Sequence, residues 1–349
     1  DPEMSRGLGD VYKRQPYNDI IRKFIDMYAG RLRNQVSFML SACNFYMPIF
    51  EEALDAYGLP LELRYLPIIE SALNPSAVSR AGASGLWQFM IGTGKIYGLE
   101  SNSLVDERRD PIKATWAAAR YLKEMYDIYG DWNLVIAAYN CGPGTINKAI
   151  RRANGETDYW KIYNYLPKET RGYVPAFIAA NYVMTYYCDH NICPMETNIP
   201  ASTDTVQVNK NLHFEQIADL CNVPLDQIKS LNPQYKKQMI PGDSKPYTLR
   251  LPIDAISTFI DKQDTIYAHR ADELFRNRKT VAIKEITPST RKTTTAVAGK
   301  GKLTYYTIKS GDTLSTIAGK YGVTIKDIQR WNGMSNTKIA AGKRLKIYK

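Results

Sequence analysis

A chain of 349 residues with 44% hydrophobic content is long enough for two or three packed domains, and its composition is that of a soluble globular protein with no apolar run able to span a membrane. Its net charge of +11 lies in the C-terminal part, since residues 16–200 carry 18 Lys and Arg against 19 Asp and Glu while 201–349 carry 25 against 13. That asymmetry predicts a weak, salt-screened attraction to an acidic polymer or surface, with nucleic acid disfavoured because no nucleic-acid motif accompanies it.

In chain order, residues 1–15 are polar and read as a non-native or disordered leader, so they carry no fold argument. From Asn18 to Tyr57, Ile21, Phe24, Ile25, Tyr28, Val36 and Met39 recur at helical intervals, predicting an N-terminal helical arm that Gly30 divides. Gly58-Leu59-Pro60 turns the chain into a helix with apolar Leu66, Ile69 and Leu73, which Asn74-Pro75 ends. Glu70 sits in the last turn of that helix. Apolar neighbours and the negative end of the helix dipole both disfavour its charged form, as suits a general acid. Read alone, it is equally an ordinary solvated glutamate at a helix end.

Ser76–Ser84 is small and polar, a loop over a cleft, and Leu86–Ile96 returns to helical spacing. Pro111 opens a helix through Tyr129, Asp131 caps one through Tyr139, Thr145–Arg152 is a short helix, and Val174–Cys188 is a final apolar one. Residues 16–200 are thus expected to form an all-α domain.

Beyond Pro200 an internal repeat appears: Ile217, Ala218, Val223, Ile228 and Asn232 recur 100 residues later as Ile317, Ala318, Val323, Ile328 and Asn332. Each copy reads as βααβ, over 201–255 and 303–349, giving a multidomain chain of one all-α domain and two small α+β domains. The polar segment 256–302 between them reads as a linker. Five cysteines, an odd count, form no disulfide framework, although Cys188 and Cys193 are near enough in sequence for one bridge.

Glu70-Ser71, Gly85-Leu86-Trp87-Gln88, Ala138-Tyr139-Asn140 and Glu169-Thr170-Arg171-Gly172-Tyr173-Val174, in this order, resemble the lysozyme-like lytic transglycosylases that cleave bacterial peptidoglycan. The likeness covers about residues 17–190. It implies a lysozyme-like fold with Glu70 as catalytic acid. It further implies that Ser71 and Gln88 hydrogen-bond the substrate N-acetyl group or Glu70, that Tyr139 and Asn140 orient the acetamido group, and that Tyr173 holds Glu70 from the opposite wall. Peptidoglycan glycan strands are the implied partner, with no cofactor and no metal. The implied location is the cell envelope, periplasmic or anchored at the outer membrane, with an export signal upstream of about Tyr17. The second repeat, with Ser310-Gly311-Asp312-Thr313-Leu314, resembles a LysM domain, which implies N-acetylglucosamine binding at Gly311, Asp312, Thr313 and Leu314. The first repeat has Lys210-Asn211-Leu212-His213-Phe214 there, and so reads as a degenerate copy.

Glycoside cleavage normally needs two carboxylates, yet Ser71–Leu99 contains no Asp or Glu, and Asp106, Glu107 and Asp110 read as structural. One acid suffices if, as the resemblance implies, the substrate's N-acetyl oxygen attacks C1 and the C6 hydroxyl, deprotonated by the same residue, then displaces it to give a 1,6-anhydro product. A hydrolytic lysozyme or chitinase and a non-catalytic LysM wall-binding scaffold remain alternatives. Oligomeric state is left open.

The repeats are expected to differ in a pull-down on insoluble peptidoglycan: deleting 303–349 weakens binding far more than disrupting 204–252, and equal losses would contradict this.

Overall fold

The computed structural model describes residues 18–197, 199–200, 202–275, 303–309, 312–332, 334, 339 and 342–348. The expected leader at 1–15, the 276–302 part of the expected linker and Gly311 lie outside the described residues. The chain divides into two units, Asp1–Thr287 and Pro288–Lys349. None of the described helices is long and apolar enough to cross a membrane.

Among the described residues, the helical part of the first unit has nine α-helices: α1 (Asp19–Ala29), α2 (Arg33–Ala56), α3 (Leu66–Ser71), α4 (Ile91–Ile96), α5 (Pro111–Tyr129), α6 (Trp132–Cys141), α7 (Pro143–Arg152), α8 (Tyr159–Ile162) and α9 (Lys168–Thr185). Asn18, Asp110, Asp131 and Asp158 cap α1, α5, α6 and α8 by accepting backbone N–H groups that no helical carbonyl can reach. Leu134, Val135, Ile136, Ala137 and Ala138 of α6 have no solvent exposure. Apolar on all sides, α6 is the axis of the helical core, and its alanines let α5 and α9 pack closely on it.

Two expectations here are corrected. The helix carrying Glu70 stops at Ser71, because Ala72 and Leu73 turn left-handed at φ 52° and 58°. A non-glycine residue in that conformation costs roughly 1–2 kcal/mol. Leu73 offsets the cost by full burial, about 1.5–3 kcal/mol for a leucine side chain. Leu86–Met90 is not helical either, and only Ile91–Ile96 is. Ser84 bridges both Val78 and Phe89, so the chain from Ala77 to Phe89 folds back on itself, with Gln88 at φ 48°. The apolar spacing of Leu86, Trp87 and Phe89 arises because all three point into the core.

The first repeat pairs β1 (Thr203–Val208) antiparallel with β4 (Tyr247–Pro252), and a second small pair joins β2 (Asn211–His213) to β3 (Met239–Pro241). Between them lie α10 (Phe214–Cys221) and α11 (Leu225–Leu231). The chain continues as α12 (Ile253–Asp261), α13 (Gln263–Ala268) and α14 (Ala271–Leu274). Residues 256–275, expected as linker, are therefore ordered helix, anchored by Phe259 and Ile266 buried in the core of the repeat. The second unit repeats the plan with β5 (Leu303–Thr307), α15 (Leu314–Tyr321), α16 (Ile325–Trp331) and β6 (Arg344–Tyr348), β5 and β6 being antiparallel.

The repeated asparagine has one job in both copies. Asn232 Nδ2 donates to the carbonyls of Ile228 and Arg250, at 2.9 and 2.8 Å, while its Oδ1 accepts from the Arg250 N–H at 2.8 Å. Asn332 makes the same three bonds to Ile328 and Lys346. Each asparagine latches a helix end to the closing strand.

Gly85 tests the packing of the 77–89 loop. At φ 88° its position suits no L side chain, and an added Cβ would lie 1.7 Å from the Arg108 carbonyl oxygen. Gly85→Ala is expected to destabilise the first unit by at least roughly 1–3 kcal/mol. Thermal or urea unfolding measures it, and an unchanged midpoint would contradict the packing described.

Candidate active site

Three walls meet at Glu70. The floor is α3, which carries Glu70 and Ser71 at its C-terminal end. One side is the 77–89 loop, with Gln88, and the other is the N-terminal arm, with Tyr28, Leu32, Gln35 and Met39; together they enclose a cleft of about 420 Å³. Among the described residues that line it, Glu70 carries the only carboxylate.

The Tyr173 hydroxyl, from α9, donates to Glu70 Oε1. Burial pushes the Glu70 pKa up from 4.5 to about 7; the Tyr173 hydrogen bond opposes this, and the charge of Glu169 adds to it. Glu169 itself is exposed on the first turn of α9, four residues before Tyr173. Burial and the nearby Glu70 charge hold the hydroxyls of Tyr139 and Tyr173 well above the usual tyrosine pKa, so both stay protonated donors. Tyr28 is likewise pushed up, by burial, to about 12.

Glu70, Ser71 and Gln88 line the cleft, but the polar atoms of the last two are engaged in building it. The Ser71 hydroxyl lies 3.0 Å from the carbonyls of both Pro67 and Leu86, tying α3 to the loop. Gln88 Nε2 donates to Ala77 O at 3.2 Å and Gly85 O at 2.8 Å, which commits both amide hydrogens to the loop. What Gln88 offers a ligand is its oxygen, an acceptor. Tyr139 donates to the Trp87 carbonyl at 2.7 Å, so it too braces the loop. Asn140 does not line the cleft: its Oδ1 accepts from Thr170 Oγ1 at 2.9 Å, joining the end of α6 to α9. Trp87 is fully buried, edge-on to Phe50, with its indole N–H on Thr115 Oγ1 at 2.9 Å, so its role is packing.

Nothing in the sequence assigns a place at the site to Tyr28, Gln35 or Thr170. Tyr28 and Gln35 sit in a helical arm more than thirty residues from Glu70, and the apolar period that revealed the arm says nothing of which face meets the cleft.

In the second repeat, Asp312 Oδ2 accepts from the Tyr306 hydroxyl at 2.7 Å and the Lys309 N–H at 2.8 Å, and Thr313 caps α15. Leu314 is 2% exposed and belongs to the core. Expected as a glycan contact, it instead packs in the core of the repeat with Ile317, Ile328 and Ile347. All five cysteines are free, including Cys188 and Cys193.

Three families match along the chain: the transglycosylase SLT domain over residues 47–162, the LysM-like domain of lytic transglycosylase MltD over 202–268, and the LysM domain over 306–347. The second match extends through α12 and α13, which agrees with their packing on the first repeat. Membrane-bound lytic murein transglycosylase D of Escherichia coli K12 is 31% identical over 354 residues, 99% of this chain and 73% of that protein. Soluble lytic murein transglycosylase of the same strain is 33% identical over 124 residues, 34% of this chain and 19% of its own. Among solved structures, the 70 kDa soluble lytic transglycosylase of Escherichia coli matches at 29% identity and TM-score 0.36, over 41% of this chain and 24% of that one.

The raised Glu70 pKa carries a stability cost with a definite sign. Between about pH 4.5 and 7 the folded protein holds a proton that the unfolded chain has released, so stability falls as pH rises through that window and stays low above it. Glu70→Gln is therefore expected to stabilise the protein at pH 8, by on the order of 1–3 kcal/mol, and to change little at pH 4. Thermal unfolding at the two pH values measures this, and an equal effect at both would contradict the assigned pKa.

Proposed function

Since the chain belongs to the lytic murein transglycosylase family, with a helical SLT domain followed by LysM-type domains, we propose that Glu70 alone supplies both proton transfers of its reaction. The observation that carries this is a half-buried carboxyl group, its pKa raised to about 7, in a cleft whose other described lining residues hold no carboxylate.

In the first step protonated Glu70 gives its proton to the glycosidic oxygen of the MurNAc–GlcNAc β-1,4 bond. The bond between that oxygen and C1 breaks while the substrate's N-acetyl oxygen bonds to C1, leaving an oxazolinium ion. In the second step the Glu70 carboxylate takes the proton of the C6 hydroxyl, and O6 displaces the N-acetyl oxygen from C1. The product ends in 1,6-anhydro-MurNAc, and Glu70 is protonated again. Water is not consumed. Gln88 Oε1 accepts the acetamido N–H, which leaves the N-acetyl oxygen to attack. Tyr173 steadies the carboxylate between steps, and its hydrogen bond keeps the acid from becoming too weak to give up its proton. Ser71, Tyr139 and Asn140 hold the walls in register rather than touching the sugar.

The enzyme acts on peptidoglycan in the cell envelope. A periplasmic site of action with attachment to a membrane surface belongs to the proposal, supported by the membrane-bound designation of the Escherichia coli relative. The second repeat, with the basic C-terminal part around it, supports retention on the glycan.

Glu70→Gln keeps the side chain's size and its bond to Tyr173 but cannot transfer a proton. Turnover of purified sacculi is expected to fall by at least the roughly 10²–10⁴-fold of general acid–base catalysis, with sacculus binding retained. Glu169→Gln, which removes only a charge acting through space, is expected to stay within a few-fold of the parent. Full activity in Glu70→Gln would reject the assignment.

A further inference from the structure

The first repeat departs in sequence from its sister at the loop after β1, and its residues there contact a later segment of the same chain. Gln216, at the start of α10, donates through Nε2 to the carbonyls of Tyr267 and His269 at 3.1 and 2.7 Å. Lys210 lies over the Tyr267 ring and 3.7 Å from Asp264. The residues that follow β1 thus contact the chain's own segment 264–269.

A different edge of this repeat grips the helical domain. Val105 forms an antiparallel bridge with Tyr235, the Asp106 N–H donates to Gln234 O at 2.9 Å, and the Lys236 N–H donates to Leu104 O at 2.8 Å. Leu104 and Val105 are buried in the repeat's own hydrophobic core. From this junction a chain of charged groups leads to the active-site loop. Lys236 Nζ donates to Asn102 O at 2.7 Å and lies 3.6 Å from Asp106 Oδ2. Asp106 holds Arg108 with two bonds, at 2.9 and 2.8 Å. Arg108 in turn donates to the carbonyls of Gly82 and Phe89, both at 2.9 Å, clamping the two ends of the loop that carries Leu86, Trp87 and Gln88.

Burial makes each link depend on the next. The Asp106 and Arg108 side chains are 2% and 6% exposed, and Lys236 is 20% exposed. Burial alone would drive Asp106 toward its neutral form, but Arg108, with Lys236, more than reverses this and holds its pKa below the ordinary value. Removing the partner of a buried charge costs more than the pair contributes, so the unpaired group moves to find water. Here the group that loses a partner is Asp106, which without the Lys236 ammonium keeps its hydrogen bonds to Arg108 alone; a shift of Asp106 toward water takes Arg108, and with it the Gln88 wall, out of place.

The geometry points to Lys236 as a positioning residue for catalysis, through which the first LysM-like repeat holds the Gly82–Phe89 loop against Glu70 by way of Asp106 and Arg108. This rests on the proposed role of the Glu70 cleft. It gives the repeat a part in turnover rather than in targeting.

The test uses the full chain and five variants, Glu70→Gln among them, with kcat and KM measured on soluble uncrosslinked glycan strands alongside sacculus pull-down and thermal unfolding. Lys236→Met keeps the aliphatic stem and removes the ammonium. It is expected to lower kcat about 10-fold, the scale of a sub-ångström loss of alignment, with pull-down unchanged. Lys236→Arg is expected to recover most of the lost kcat. Lys236→Gln, which still donates to a carbonyl but leaves Asp106 without that charge, gives an intermediate kcat and serves if Lys236→Met does not fold. Lys245→Met removes an ammonium from the same junction, where it pairs with Glu100 at 2.6 Å away from the loop, and is expected to leave kcat unchanged. Wild-type kcat and KM in both Lys236→Met and Lys236→Gln, beside an inactive Glu70→Gln, would overturn the positioning role while leaving the acid assignment intact. An equal kcat loss in Lys245→Met would overturn it too, as general loosening of the junction. Full activity in Glu70→Gln would instead remove the cleft reading on which it rests.

Discussion

A carboxyl group that must hold its proton near neutral pH has to be kept from water, and a carboxyl group that must then lose the proton has to be kept from being too well hidden. In the function proposed for Glu70, the cleft answers both demands. Burial raises its pKa to about 7, and the Tyr173 hydroxyl pulls in the opposite direction by bonding the charged form. Neither influence works without the walls of the cleft, which come from three parts of the chain, α3 with Glu70, the loop with Gln88 and the arm with Tyr28, while α9 brings the Tyr173 hydroxyl to Glu70.

Holding those walls costs backbone strain and buried charge. Ala72, Leu73 and Gln88 are all left-handed without being glycine, and all lie within the turns that frame Glu70. The strain persists because burial of Leu73 and the hydrogen bonds of Ser71, Gln88, Tyr139 and Arg108 over-determine the loop. The first LysM-like repeat belongs to the same framework. Its core takes in Leu104 and Val105 from the helical domain, so the boundary expected near residue 200 is a boundary in sequence more than in packing. The second repeat lies in the other unit of the chain, with a core of its own.

What could be read from the residues alone follows from range. Glu70, the helices α5 and α6 and the Asn232/Asn332 repeat were legible because caps, apolar period and spacing are local properties. The family resemblance was legible because its motifs stand in order along the chain. The end of the Glu70 helix was misplaced because Leu73 keeps helical spacing while its backbone does not. Residues 86–90 looked helical because a folded loop can bury the same side chains as a helix turn. The segment 256–275 looked like a linker because its surface is polar and only Phe259 and Ile266 reach the core. The Lys236–Asp106–Arg108 chain was invisible, since it joins residues that are adjacent only after two domains have docked.

The central claim is that one carboxyl group serves as acid and then as base, with the substrate and not water closing the ring. Digesting sacculi in water enriched in oxygen-18 and weighing the released muropeptides tests it most directly. The account predicts MurNAc ends lighter than hydrolysis products by one water and free of the heavy isotope. Reducing ends carrying one oxygen-18 atom would contradict it, since they would show that water had attacked C1.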